Sequence, residues 1–137
     1  MSSPPDASAL ASAMPFAVTL GIEVTSAAPA EVHGRIGWTP EHCTTGGVLH
    51  GGAIMSLADT LGAICAFLNL PPGAATTTIE SKTNFFAGVR SGHVDAVCKP
   101  LHVGRRTIVV QTDLFDANGK RAAQVTQTQA VLEPARG

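Results

Sequence analysis

The stretch Leu49–Gly73, LHGGAIMSLADTLGAICAFLNLPPG, holds one formal charge, Asp59. Between Glu41 and Glu80 no other Asp, Glu, Lys or Arg occurs. A helix drawn from about Gly51 to Leu70 carries apolar residues on almost every face: Ile54, Met55, Leu57, Leu61, Ile64, Phe67 and Leu68. Such a helix is enclosed by protein on most sides. Pro-Pro-Gly at 71–73 stops it. The apolar run Ala53–Leu70 falls short of the roughly 20 residues of a membrane span. Asp59 in its middle adds about 3 kcal/mol to insertion. The expectation is the buried helix of a soluble protein, with no membrane partner.

The periodicity on either side of this helix is that of strands. Upstream, DASALASAMPFAVTLG (6–21) reads as a short helix that Asp6 or Ser8 caps and Pro15 interrupts. IEVTSA (22–27) and AEVHGRIGW (30–38) read as strands, followed by the turn-rich loop TPEHCTTGG. Downstream, four segments rich in Val, Thr and Ile alternate over 76–86, 92–103, 105–116 and 120–133. Asn-Gly within DANGK marks a hairpin between the last two, and AGVRSGH links the first two. This order predicts an α+β domain over 1–137: an antiparallel sheet of five or six strands wrapped about one long helix, its last four strands a meander, with 1–6 a loose tail. One helix cannot cover such a sheet, so a dimer at least is expected.

The chain has 137 residues, 45% hydrophobic and 14% charged, which suits a single folded domain. A net charge of −1 gives no case for nucleic acid as a partner. The balance is uneven: residues 1–80 hold one basic residue against six acids, and residues 81–137 hold eight against four. A basic half favours an anionic ligand, and it equally describes an ordinary solvated surface. Cys43, Cys65 and Cys98 have no zinc or CxxC spacing and read as reduced thiols. The N-terminus lacks the basic region of a secretory signal, so the expected location is cytoplasmic.

Two readings fit Asp59. Gly52, Ser56, Asp59, Thr60 and Ala63 form a small, partly polar stripe at helical spacing, which can simply be the solvated face. A solvated face of this length normally carries several charges, however, and small residues around one carboxylate leave room for a ligand. The helix start GGVLHGG adds a second feature, because glycines there bring free backbone N–H groups close to a ligand. Donors at a helix N-terminus stabilise the oxyanion of acyl transfer. His50 beside them can act as a base, a donor or a structural cap. Gly51 and Asp59 lie eight residues apart, about 12 Å along the axis at 1.5 Å per residue. One carbonyl cannot touch both on the same helix. If both act, antiparallel helices from two subunits must supply one group each.

The segment GGVLHGGAIMSLADTLGA, with the later order N-F, G-R and D-x-x-G-K, resembles the hotdog-fold acyl-CoA thioesterases of the phenylacetate-degradation (PaaI-type) branch over about residues 15–132. The resemblance implies a long helix wrapped by an antiparallel sheet, in dimers that pair into homotetramers. It implies hydrolysis of a small or aryl acyl-CoA to the free acid and coenzyme A. Asp59 matches the catalytic carboxylate, nucleophile or general base. Gly51 matches the partner-subunit amide that polarises the thioester carbonyl, and His50 the residue that supports that loop. Thr78 aligns with a Ser/Thr that places the attacking water, since Ala63 stands where another branch has a hydroxyl one turn past the acid. Thr44 stands where the family usually has Asn or Gln, six residues before the His. Arg90, Arg105 and Arg106, with Gly52, match the coenzyme A-binding regions; Lys82, Lys120 and Arg121 are weaker matches. Coenzyme A is part of the substrate, and no cofactor or metal is implied. The alternatives are a non-catalytic acyl-CoA-binding module or regulator on this fold, which the Thr44 departure favours, and a hydroxyacyl-thioester dehydratase, whose His and acid are placed differently.

Overall fold

A computed structural model of the chain describes residues 6–134. The expected tail falls on residues 1–5, outside that range, and on Asp6, which caps the first helix by accepting from Ser8 N–H at 3.0 Å. The expected helix is interrupted at Pro15 into two short ones, α1 (Ala7–Ser12) and α2 (Pro15–Leu20). Pro15 occupies the first turn of α2, where its missing N–H leaves no bond unmade. Gly21 ends α2 in the left-handed region at φ 71°.

Strands β1 (Glu23–Ala28) and β2 (Glu31–Gly37) form a hairpin. The long helix α3 spans Gly51–Leu68, and β3 (Ala75–Phe85), β4 (His93–Val103), β5 (Thr107–Asp116) and β6 (Arg121–Leu132) complete the chain. All six strands make one antiparallel sheet in the order β1-β2-β4-β5-β6-β3. The helix ends two residues before the predicted Leu70. Asn69 stops it, its side-chain amide donating to the Cys65 and Pro29 carbonyls at 2.8 Å each.

The strand order corrects the expected four-strand meander. Of the last four strands, only β4, β5 and β6 follow one another through hairpins; β3 lies beyond β6 on the far edge. The linker 86–92 is therefore a crossover and not a hairpin turn. Phe86 and Ala87 N–H groups both donate to the Ala122 carbonyl, and Leu49 N–H donates to that of Val89, which is buried. These bonds carry the linker past the N-terminal end of α3 to reach β4.

Alternation then decides what faces the helix. Val32 and Ile36 of β2, Val94, Ala96 and Cys98 of β4, Ile108, Val110 and Leu114 of β5, and Val125 of β6 are all buried. They pack in one core cluster with Leu57, Leu61 and Ile64 of α3. Gly34 of β2 lets the helix come close: a Cβ there would lie 2.7 Å from a Leu61 methyl. Among the described residues α3 alone is long and apolar enough to cross a membrane, at mean hydropathy 1.6, yet here it is packed on the sheet.

Cys65 and Cys98 are buried at this helix–sheet interface, and the three cysteines form no disulfide. Contact with Cys65 and burial both push the Cys98 thiol up, which keeps it protonated and inert.

Candidate active site

Asp59 sits mid-helix on the stripe with Gly52 and Ser56. It opens into a concavity of about 420 Å³ that Met55, Thr78 and Ser81 also line. Its Oδ1 accepts from Gln127 Nε2 at 2.6 Å and from Thr78 Oγ1 at 3.3 Å. Thr78 Oγ1 in turn accepts from Gln129 Nε2 at 2.8 Å, and Gln129 Oε1 accepts from Thr76 Oγ1 at 3.2 Å. The buried helix leaves its one acid outside the core. In the single chain the Asp59 residue is exposed, and its two glutamine supports are buried, each at 1% exposure. The reason is topological: β3 is an edge strand, and its outer side pairs with no described strand.

Thr78 reaches the acid from a β-bulge. The β3–β6 register shifts between Thr78 and Glu80, leaving Ile79 as the extra residue, 61% exposed. Bulges re-aim neighbouring side chains. Gln127 and Gln129 were not singled out from the sequence. Their signal is TQTQ at 126–129, where alternation places both glutamines on the inward face with Val125 and Val131. Two amides in a core row call for polar partners.

The start of α3 builds a second locus. His50 is its N-cap, and its Nδ1 accepts from Gly52 N–H at 2.8 Å. This puts the ring proton of neutral His50 on Nε2, where it can donate. Gly51, the first helical residue, has no intrahelical acceptor for its own N–H. Gly51 borders a concavity of about 380 Å³ shared with Thr44, Ile54, Phe85 and Phe86. A Cβ at Gly51 would lie 3.0 Å from the Phe85 ring.

One chain thus brings together Asp59, Thr78 and Gly52 in one concavity and Gly51 and Thr44 in another. His50, at the helix entrance, lines a third concavity with His42, Cys43 and Gly52. The three arginines are not brought together. Arg90 lies at the N-terminal end of α3, its Nη1 donating to the Gly46 carbonyl at 3.4 Å. Arg105 and Arg106 are exposed in the β4–β5 hairpin, with the whole of β4 between them and Arg90. Of the weaker matches, Arg121 pairs with Asp113 at 3.0 Å and lies over the Phe86 ring.

The sequence profile of the thioesterase superfamily matches residues 46–123, which include His50, Gly51, Asp59 and Thr78 but not Thr44, Gln127 or Gln129. The 1,4-dihydroxy-2-naphthoyl-CoA hydrolase of Escherichia coli (strain K12) is 36% identical over 86 residues, 63% of each chain. The proofreading thioesterase EntH of Cronobacter sakazakii is 34% identical over 86 residues, again 63% of each. The alignment therefore spans 63% of the length of these curated relatives. Two crystal structures share the architecture closely. A mutant thioesterase from Pseudomonas aeruginosa superposes with a TM-score of 0.89 at 28% identity, covering 95% of this chain and 96% of the other. A thioesterase from Haemophilus influenzae gives 0.91 at 25% identity, covering 98% and 95%.

Proposed function

The chain belongs to the thioesterase superfamily, and from that premise we propose that it is an acyl-CoA thioesterase that releases a small or aryl carboxylic acid and coenzyme A. The observation that carries this reading is the Asp59 carboxylate, held by Gln127 and Thr78 at the edge of an open concavity. In this reading Asp59 attacks the thioester carbon, or takes a proton from the water that does. The carbonyl oxygen becomes an oxyanion on the Gly51 N–H, at the positive end of the helix dipole. Collapse of the tetrahedral species expels the sulfur. Where Asp59 is the base, the proton it takes from water passes to the departing sulfur, which leaves as the coenzyme A thiol. Where Asp59 is the nucleophile, the sulfur leaves as thiolate and is protonated by solvent, and water then hydrolyses the mixed anhydride left on Asp59 to the free acid and the restored carboxylate. Thr78 places the water, His50 orders the Gly51 turn, and Thr44 borders the oxyanion side.

The two loci lie too far apart on one helix for a single carbonyl. We therefore assign each site to two subunits, one giving Asp59 and the other Gly51. The unpaired β3 edge, with Ile79 exposed, suits the dimer this requires. Pairing of dimers into a homotetramer, membership of the PaaI-type branch and a cytoplasmic location complete the proposal. Arg90 of one subunit and Arg105 and Arg106 of another, with Gly52, would bind the coenzyme A phosphates. An aryl acyl group is favoured by the name of the Escherichia coli relative. One observation favours the second reading, a non-catalytic acyl-CoA-binding module: Thr44 borders the Gly51 concavity with a hydroxyl where the family usually has a longer amide.

Thiol release from a panel of aryl and aliphatic acyl-CoAs tests the proposal. Turnover is expected on part of the panel, and Asp59→Asn should lower kcat about 10²- to 10⁴-fold with the fold intact. Wild-type turnover in that variant would overturn the assignment of Asp59, and binding of acyl-CoA without turnover by the native protein would establish the second reading.

A further inference from the structure

Gln127 is a costly residue for the core to hold, and its cost has one visible return. It is 1% exposed, on the inward face of β6, between Val125 and Val131 at the same depth. Packing alone would put another aliphatic residue there. Its Nε2 donates to Asp59 Oδ1 at 2.6 Å, the length of a charge-assisted bond. Its Oε1 is buried and finds no donor. An orphaned buried carbonyl weakens the folded state.

The helix yields to the same side chain. Gly62 stands in the interior of α3, where glycine is unfavourable, and any Cβ there would collide with Gln127 Oε1. Two departures from good core design, an unpaired carbonyl and a mid-helix glycine, therefore serve one hydrogen bond to the acid. Thr78, held by Gln129, donates to the same Oδ1. Oδ2 accepts from no described residue.

We propose that Gln127 is a positioning residue that, through the space Gly62 leaves it, fixes the Asp59 carboxylate by Oδ1 and reserves Oδ2 for the reacting groups. The inference rests on Asp59 being the catalytic carboxylate. It accounts for a core that tolerates an unsatisfied polar atom next to its active acid, since stability is given up where a site needs fixed geometry.

Gln127→Met keeps the length and volume of the side chain and removes both the donor and the orphaned carbonyl. The purified full-length variant is compared with the native protein and with Asp59→Asn on benzoyl-CoA, or on the best substrate of the panel. The expected result is kcat lowered roughly 10- to 100-fold with KM within about twofold, since misplacing a reacting group acts on the chemical step. The melting temperature should be equal to the native one or higher. A purely structural glutamine would do the reverse, lowering the melting temperature and sparing kcat. Native kcat in Gln127→Met, or a change confined to KM, overturns the role given to Gln127. Should the methionine variant not fold, Gln127→Asn keeps the amide and draws it back by one methylene. A fall in kcat at unchanged KM then supports the role, and native kcat overturns it. Activity surviving in Asp59→Asn is the separate failure, that of the catalytic reading itself.

Discussion

The two donors on Asp59 Oδ1 differ in strength: the Gln127 bond is 2.6 Å from a buried donor, and the Thr78 bond is 3.3 Å from an exposed one. Thr78→Val should therefore cost about 1 kcal/mol of transition-state stabilisation, roughly fivefold in kcat, less than Gln127→Met. Steady-state kinetics of the two variants side by side check the order. Away from the site, the Arg35 side chain beside Asp95 holds that carboxyl below its usual range, by hydrogen bond first and then by charge, with His93 adding to it. A carboxyl lowered in the folded state stabilises the fold above the ordinary carboxylate range. That stabilisation fades as pH falls through the lowered folded value. Asp95→Asn should thus lower the melting temperature slightly at pH 7 and less at pH 3, the effect being small because the pair is exposed. Asp59 is legible in the sequence because nothing near it is charged. Gln127 is not: alternation turns it inward, but only the β3–β6 pairing and the helix crossing above decide that it meets residue 59.

Gly34 sets how closely α3 approaches β2, because its missing side chain is filled by Leu61. A Cβ at position 34 would also stand 2.9 Å from the Glu23 carbonyl of the neighbouring strand. Gly34→Ala should destabilise by about 1–3 kcal/mol through overpacking, read from urea unfolding. The helix itself was readable from its composition and length, and its end to within two residues. The order of the strands was not. Hairpin signals are local, and the turn formers of 87–93 look alike in a hairpin and in a crossover. What sends β3 to the far edge is the bonding of 86–89 to Ala122 and Leu49, residues far off in sequence.

For the whole molecule, the proposed division of the site between subunits has a direct test. Gly51→Pro removes one N–H at a position whose backbone suits proline, the first of a helix after an extended residue, and its Cβ, 3.0 Å from Phe85, requires that half-exposed ring to shift. Alone it should lower kcat about 10²- to 10³-fold. Co-expressed with Asp59→Asn, it gives mixed dimers with one site wholly intact and one doubly defective. These should recover about half the native activity per dimer, whereas a site within one chain would recover none. Ile79→Lys on the free β3 edge should shift the assembly toward monomer by sedimentation and abolish turnover with it. The amino-acid sequence by itself determined the elements, the buried helix, and the acid and glycines set along it, because periodicity and isolation of charge are properties of short stretches. Only the tertiary structure decided which strand covers Asp59, which buried amides hold it, and that within one chain it lies open beside an unpaired edge. Those facts depend on contacts between residues up to 68 positions apart, which no local pattern encodes.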